Sequence, residues 1–95
     1  MSYDLTDEQC RAAAIEALDD LPGWVHERIG EVAVIVEESH PDDLMGIYDP
    51  YGGLQRIVIF RSANPNAEEV RKTVWHEIGH HMGMDEEQLE ALGYG

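Results

Sequence analysis

The chain has 95 residues, of which 20 are acidic and 6 are basic, so that its formal net charge is -14. A field of this sign repels phosphates and anionic lipid headgroups, and we therefore expect neither a nucleic-acid nor a membrane partner. The length fits one domain, residues 1–95, with a single hydrophobic core. Because so small a core is only thinly stable, a bound metal or the formation of a homodimer would add useful stability.

The composition also bears on the compartment and on the cysteine chemistry. The longest apolar runs, residues 32–36 and 57–60, are too short to span a bilayer. The N-terminus lacks the basic start and apolar stretch of a secretory signal, which predicts a cytoplasmic protein. Cys10 is the only cysteine, so no disulfide within the chain and no cysteine-based zinc site is expected.

Two helices are predicted in the N-terminal part of the chain. Residues 7–21 follow Thr6, a suitable N-cap, and carry apolar residues at helical spacing, which predicts an amphipathic helix that ends before Pro22. A second, short helix is predicted over residues 23–29 and is ended by Gly30. Its apolar residues are expected to face the core: Trp24, Val25 and Ile29.

Two β-branched runs predict strands. Residues 31–38 contain a continuous apolar run, which is typical of a strand covered on both faces. Residues 54–61 form the second strand. The segment between them, residues 39–53, contains two prolines and a pair of glycines, and we expect a loop that packs against the body through its apolar residues.

The C-terminal part predicts the longest helix, residues 67–82. Asn66, followed three residues later by Glu69, is typical of a capping box at its start, and Gly83 is expected to end it in the left-handed conformation. A last short helix follows. Together these elements predict an α+β fold with an N-terminal helix, a small β-sheet, a long helix and a short C-terminal helix.

The long helix carries the residues that indicate chemistry, in the order His-Glu-x-x-His. His76 and His80 are four residues apart and therefore share one helix face, which suits the tetrahedral coordination of Zn²⁺. The apolar residues of the helix lie on the opposite arc and leave the two histidines facing a cleft. Glu77 is placed to reach a zinc-held water as a general base. Because each residue type has a separate task at a fixed offset, this pattern is specific.

A catalytic zinc site uses a further protein ligand from outside this helical turn. A turn at Gly83 allows the chain to reverse beneath the histidines, and the next carboxylates are Asp85, Glu86 and Glu87. Asp85 with Gln88 fits a capping box for the last helix. This leaves Glu86 as the preferred third ligand, with Asp85 as the alternative.

Residues 76–86 resemble the extended signature HExxHxxGxx followed by His or Asp, and the chain as a whole resembles the zincin-like metallopeptidases, the mini-zincins. The resemblance implies a minimal zincin-like fold, Zn²⁺ as cofactor, a peptide or protein substrate and hydrolysis of a peptide bond. It assigns His76, His80 and Glu86 as zinc ligands and Glu77 as the catalytic base. Glu86 stands where the family's pattern has Asp. Zincins usually lay the substrate along an edge strand above the helix.

For several other residues the sequence supports only less specific predictions. His81 lies about 100° round the helix from His80 and is expected to be a partly buried packing residue. Tyr48 either lines the cleft or pins its loop to the core, and Tyr94 is a candidate to pack below the site. Arg56 and Arg61 are available to stabilise an oxyanion, and neither is assigned that role.

Two interpretations from other classes stay open. In the first, the chain is a catalytically inactive zinc-binding or protein-interaction module with a zincin fold, which would bind zinc without cleaving any peptide. In the second, it is a small acidic protein that mimics DNA or occupies a basic partner. Only the net charge of -14 supports the second interpretation.

Overall fold

In a computed structural model of the protein, residues 5–49 and 55–91 are described, with the backbone alone at Glu86. The elements of this part, in chain order, are α1 (Asp7–Asp19), α2 (Gly23–Ile29), β1 (Val32–Glu37), β2 (Gly46–Asp49), β3 (Gln55–Phe60), a 3-10 turn (Arg61–Ala63), α3 (Ala67–His81) and α4 (Glu86–Ala91). The predicted α+β class is confirmed. Tyr94 lies outside the described residues.

The two N-terminal helices begin and end close to their predicted bounds. At the start of α1, the Thr6 side chain accepts from the Gln9 backbone N–H while the Gln9 side chain accepts from the Thr6 N–H. In α2, Val25 and Ile29 are buried, but Trp24 is 48% exposed, so its predicted place in the core is wrong. The reason is geometric: residues four apart share the inward face of so short a helix, and their neighbour does not.

The sheet has the strand order β1-β3-β2 among the described residues. β1 runs parallel to β3, and β2 runs antiparallel to it with Ile47 opposite Val58. The prediction of a loop over residues 39–53 was therefore incomplete, because four of its residues form the edge strand β2. The expectation that β1 is covered on both faces is also wrong, since Ala33 is exposed and the strand's best-covered residues are only half-buried.

Helices α1 and α3 lie on one face of this sheet and enclose the core with it. The inward residues of β3, Ile57 and Ile59, are both 0% exposed. The small residues of α1 allow α3 to approach closely, and the Trp75 indole N–H donates to the Ala17 carbonyl at 2.9 Å. The core residues that α1 and α3 contribute are Cys10, Ala14, Ala17, Val70, Val74, Trp75 and Ile78.

This packing places α3 beside β2, at the edge of the sheet.

Across the described residues, no helix is long and apolar enough to cross a membrane.

Candidate metal centre

Helix α3 carries the candidate centre, and its ends are fixed by local hydrogen bonds. The Asn66 side chain accepts from the Glu69 N–H at 2.9 Å, which confirms the N-cap, but the predicted capping box is incomplete because the Glu69 carboxylate lies toward Lys72 instead. At the other end Gly83 has φ +85, its N–H donates to the His80 carbonyl, and the Met84 N–H donates to the Gly79 carbonyl. This is the glycine-ended helix terminus that the sequence predicts. It turns the chain sharply, one helical turn beyond the second histidine.

The structure brings His76 and His80 together on one face of α3. Their ring centroids are 4.7 Å apart, with an angle of 66° between the ring planes. His76 is half-buried and His80 is exposed. Imidazole nitrogen is a donor type that zinc uses, with Zn–N bonds of about 2.0–2.1 Å, and histidines four residues apart present two such donors on one helix face. Two residues of the proposed ligand set therefore lie side by side.

Glu77 lies next to the histidine pair, between the exposed face and the core. Burial raises the pKa of its carboxyl above the ordinary value, and the attraction of His80 and His76, which lowers that pKa, only partly offsets the effect. A carboxyl with a raised pKa holds a proton more readily near neutral pH. This is the property that a group exchanging protons with a water needs.

Edge strand β2 closes against α3 at Gly46. A Cβ atom on this glycine would lie 2.7 Å from the Thr73 methyl and 3.7 Å from Glu77 Cγ, so only glycine allows the strand to come this close. The contact is held by Asn64, whose amide donates to the Met45 carbonyl at 2.9 Å and accepts from the Thr73 hydroxyl at 2.6 Å. The start of β2 is thereby fixed to the turn of α3 that precedes His76.

The hydrogen-bond register of β2 determines which of its backbone groups face outward. The Phe60 N–H donates to the Met45 carbonyl. In an antiparallel pair the bonded residues alternate, so the backbone N–H and C=O groups of Gly46 and Tyr48 point away from β3. This outward edge is not covered by another strand of the described residues.

Three further residues that the sequence analysis considered, Tyr48, His81 and Arg56, make the following contacts. Tyr48 lies in β2, and its ring is 4.5 Å from the His81 ring, while its hydroxyl donates to the Gln55 side chain. His81 is exposed, so the prediction of partial burial is wrong, although the predicted packing contact is present. Arg56 pairs with Asp49.

Arg61 is likewise engaged away from the centre. It pairs with Asp7 at 2.8 Å and donates to the Leu5 carbonyl.

Helix α4 follows the turn at Gly83 and is anchored beneath α3. A Cβ at Gly79 would overlap the side chain of Leu89, which is 0% exposed. Asp85 forms the predicted capping box, since its carboxylate accepts from the Gln88 N–H at 2.8 Å and its N–H donates to the Gln88 side chain. The side chain of Glu86 is not among those described. Within residues 5–49 and 55–91, no group of three His, Cys, Asp or Glu side chains is placed to hold a metal.

Sequence reasoning missed three contributors to this region: Gly46, Asn64 and Gly79. No local sequence pattern marks the buried amide of Asn64. Gly79 lies inside the motif, where a small residue next to the core arc is a usable signal for close helix packing. The sequence pattern gave little indication that Gly46 lies in a strand, because β2 is only four residues long.

Comparison with known proteins finds a protein family that is similar to part of this chain. Residues 50–95 match the family model described as zincin-like metallopeptidase. No curated protein matches the chain. The matched segment contains β3, α3 and α4, and with them the motif and its glycine turn. Residues 50–95, which carry the candidate metal centre, are thus similar to the zincin-like metallopeptidases.

Proposed function

We propose that the protein is a zinc-dependent peptidase, with His76, His80 and Glu86 as zinc ligands and Glu77 as general base. One observation carries the proposal: two imidazole rings lie 4.7 Å apart on one helix face, beside a carboxyl whose pKa is raised by burial. When bound, zinc lowers the pKa of a water and polarises the substrate carbonyl. Glu77 accepts the proton of that water and passes it to the leaving amine.

The positions in α4 support Glu86 over Asp85 as third ligand. The Asp85 carboxylate already accepts from the Gln88 N–H as a helix cap. Glu86 precedes Leu89 by three residues, so the two positions share one face of α4, and Leu89 packs against Gly79 of α3. Position 86 therefore lies on the face of α4 that meets α3, the helix that carries the two histidines.

The outward edge of β2 supports a place for the substrate. The backbone groups of Gly46 and Tyr48 that point away from β3 match those of an extended peptide, which would add to the sheet as an antiparallel strand. Gly46 lies against Thr73 and Glu77. A peptide paired with this edge would run over the general base.

The test compares hydrolysis of a peptide library by the wild-type protein with hydrolysis by the Glu77→Gln variant. We expect cleavage by the wild type, loss of cleavage on chelation, recovery on adding Zn²⁺, and loss of cleavage in Glu77→Gln with zinc still bound. Glu68→Gln, an exposed position in the first turn of the same helix, is the matched control and should cleave normally. Zinc binding without cleavage by the wild type would instead favour the inactive zinc-binding module.

A further inference from the structure

A cavity of about 250 Å³ opens directly beside the candidate centre. Two of its lining residues belong to the proposed catalytic machinery, so the cavity begins where the reacting atoms of a substrate would lie. An apolar cavity of about 150 Å³ accepts a benzene molecule, and this one is therefore large enough for a leucine, methionine or phenylalanine side chain. Its lining residues are Met45, Glu69, Lys72, Thr73, His76 and Glu77.

The wall between β2 and α3 is apolar. The Thr73 hydroxyl is held between Asn64 Oδ1 at 2.6 Å and the Glu69 carbonyl at 2.9 Å, which leaves the methyl group as the part of this side chain without a polar partner. Met45 is 41% exposed although it is a large hydrophobic residue. A flexible thioether side chain adapts to apolar ligands of different shape. Both residues favour an apolar occupant.

The rim of the cavity is electrically balanced. Lys72, the only lysine of the chain, lies with its Nζ 3.9 Å from Glu69 Oε1. In a protein with a net charge of -14, this pair as a whole is neutral. Neither a basic nor an acidic side chain therefore gains a charge partner at Lys72 and Glu69 without displacing the existing one, and the remaining carboxyl of the lining is that of Glu77, the proposed general base.

We propose that this cavity binds an uncharged, apolar side chain of the peptide substrate, at a residue adjacent to the bond that is cut. The inference rests on the proposed peptidase function, because the cavity shares His76 and Glu77 with the reacting site. The chain would thus be selective for aliphatic or aromatic residues, and Met45, Lys72 and Thr73 determine that selectivity.

The first experiment measures binding without turnover or metal. The full chain, labelled with ¹⁵N, is titrated with N-acetyl-leucinamide, N-acetyl-phenylalaninamide, N-acetyl-lysinamide and N-acetyl-aspartamide. We expect the backbone amide signals of Lys72 and Thr73 to shift with the first two amides and not with the charged ones. Equal shifts with all four amides, or no shift at these residues with any of them, would overturn the inference.

A pair of neighbouring variants identifies the cavity as the site. Met45→Trp fills the cavity and should weaken binding of the apolar amides by about tenfold or more. Leu44→Trp is the matched control, since Leu44 is exposed to nearly the same extent, 40% against 41%, and does not line the cavity. Equal effects of the two substitutions would contradict the assignment.

The two proposals can fail separately. Selective binding of apolar amides by a protein that cleaves no peptide would reject the peptidase function and retain the cavity as a binding site. Cleavage whose side-chain preference is unchanged by Met45→Trp and by Lys72→Glu would reject the cavity and retain the peptidase.

Discussion

Gly79 of α3 and Leu89 of α4 are so close that a methyl group on the glycine would overlap the leucine side chain. Leu89 is 0% exposed and is the buried anchor of the short helix α4. Gly79 immediately precedes His80, and Glu86 is the first residue of α4. This contact therefore sets the distance between the histidine pair and the proposed third ligand.

Gly79→Ala should destabilise the protein and weaken zinc binding together. Overpacking at this contact costs about 1–3 kcal/mol, against which the better helix propensity of alanine returns at most about 1 kcal/mol. The free energy of unfolding in urea and the zinc dissociation constant are the measurements. In the double variant Gly79→Ala/Leu89→Ala the overlap is removed, so the loss should be smaller than the sum of the two single losses. Strict additivity would show that the contact is not the cause.

Gly46→Ala should separate the edge strand β2 from helix α3. The new Cβ would meet the Thr73 methyl at 2.7 Å and the Val58 carbonyl at 3.0 Å, and we expect a loss of about 1–3 kcal/mol in unfolding free energy. Gly23→Ala is the control, because a Cβ there meets nothing within 4 Å. The measurement is the free energy of unfolding of the two variants in urea or on heating. Equal values for both would contradict the close approach of Gly46 to Thr73.

Thr73→Val tests the connection through Asn64. Valine keeps the methyl group next to Gly46 but removes the hydroxyl that donates to Asn64 Oδ1 in the buried interior. A buried acceptor left without its donor costs about 1–3 kcal/mol. Ser62→Ala, which removes an exposed hydroxyl, should leave the unfolding free energy unchanged. A Thr73→Val protein as stable as the wild type would show that this hydrogen bond is not important.

Glu77 should make the stability of the metal-free protein depend on pH. Its folded-state pKa is raised above the ordinary 4.5, so the folded state holds the proton more tightly than the unfolded state. The contribution of Glu77 to stability is then fully present below pH 4.5 and is lost as the pH rises through the folded-state pKa. Metal-free Glu77→Gln lacks this loss, so its stability relative to the wild type should increase from acid to neutral pH. A relative stability that is constant with pH, measured by urea unfolding, would contradict the raised pKa.

The sequence predicts most of the helical half of the molecule because its signals are local. Thr6, Asn66 and Asp85 each satisfy a backbone N–H within three residues, and Gly83 ends α3 through its own conformation. The motif likewise depends on positions one helical turn apart, and the structure brings His76 and His80 together.

The missed features depend on residues that are distant in the chain. Strand β2 exists because β3 supplies its hydrogen-bond partners, and a four-residue run carries too little pattern to predict this. Asn64 joins Met45 to Thr73, and nothing in its own neighbourhood marks it as buried. The exposure of Trp24 likewise follows from which residues of α2 meet the core.

The proposed zinc site is tested by equilibrium binding of Zn²⁺ to the metal-stripped protein, measured by competition with a chromophoric chelator. We expect one Zn²⁺ per chain. His76→Asn and His80→Asn should each weaken binding by more than the roughly 10–100-fold that loss of an outer-sphere partner costs. His40→Asn, whose ring packs against Phe60, should bind as the wild type does. A wild-type protein that binds no zinc, or His76→Asn and His80→Asn variants that bind it as tightly as the wild type, would show that these histidines do not form a zinc site.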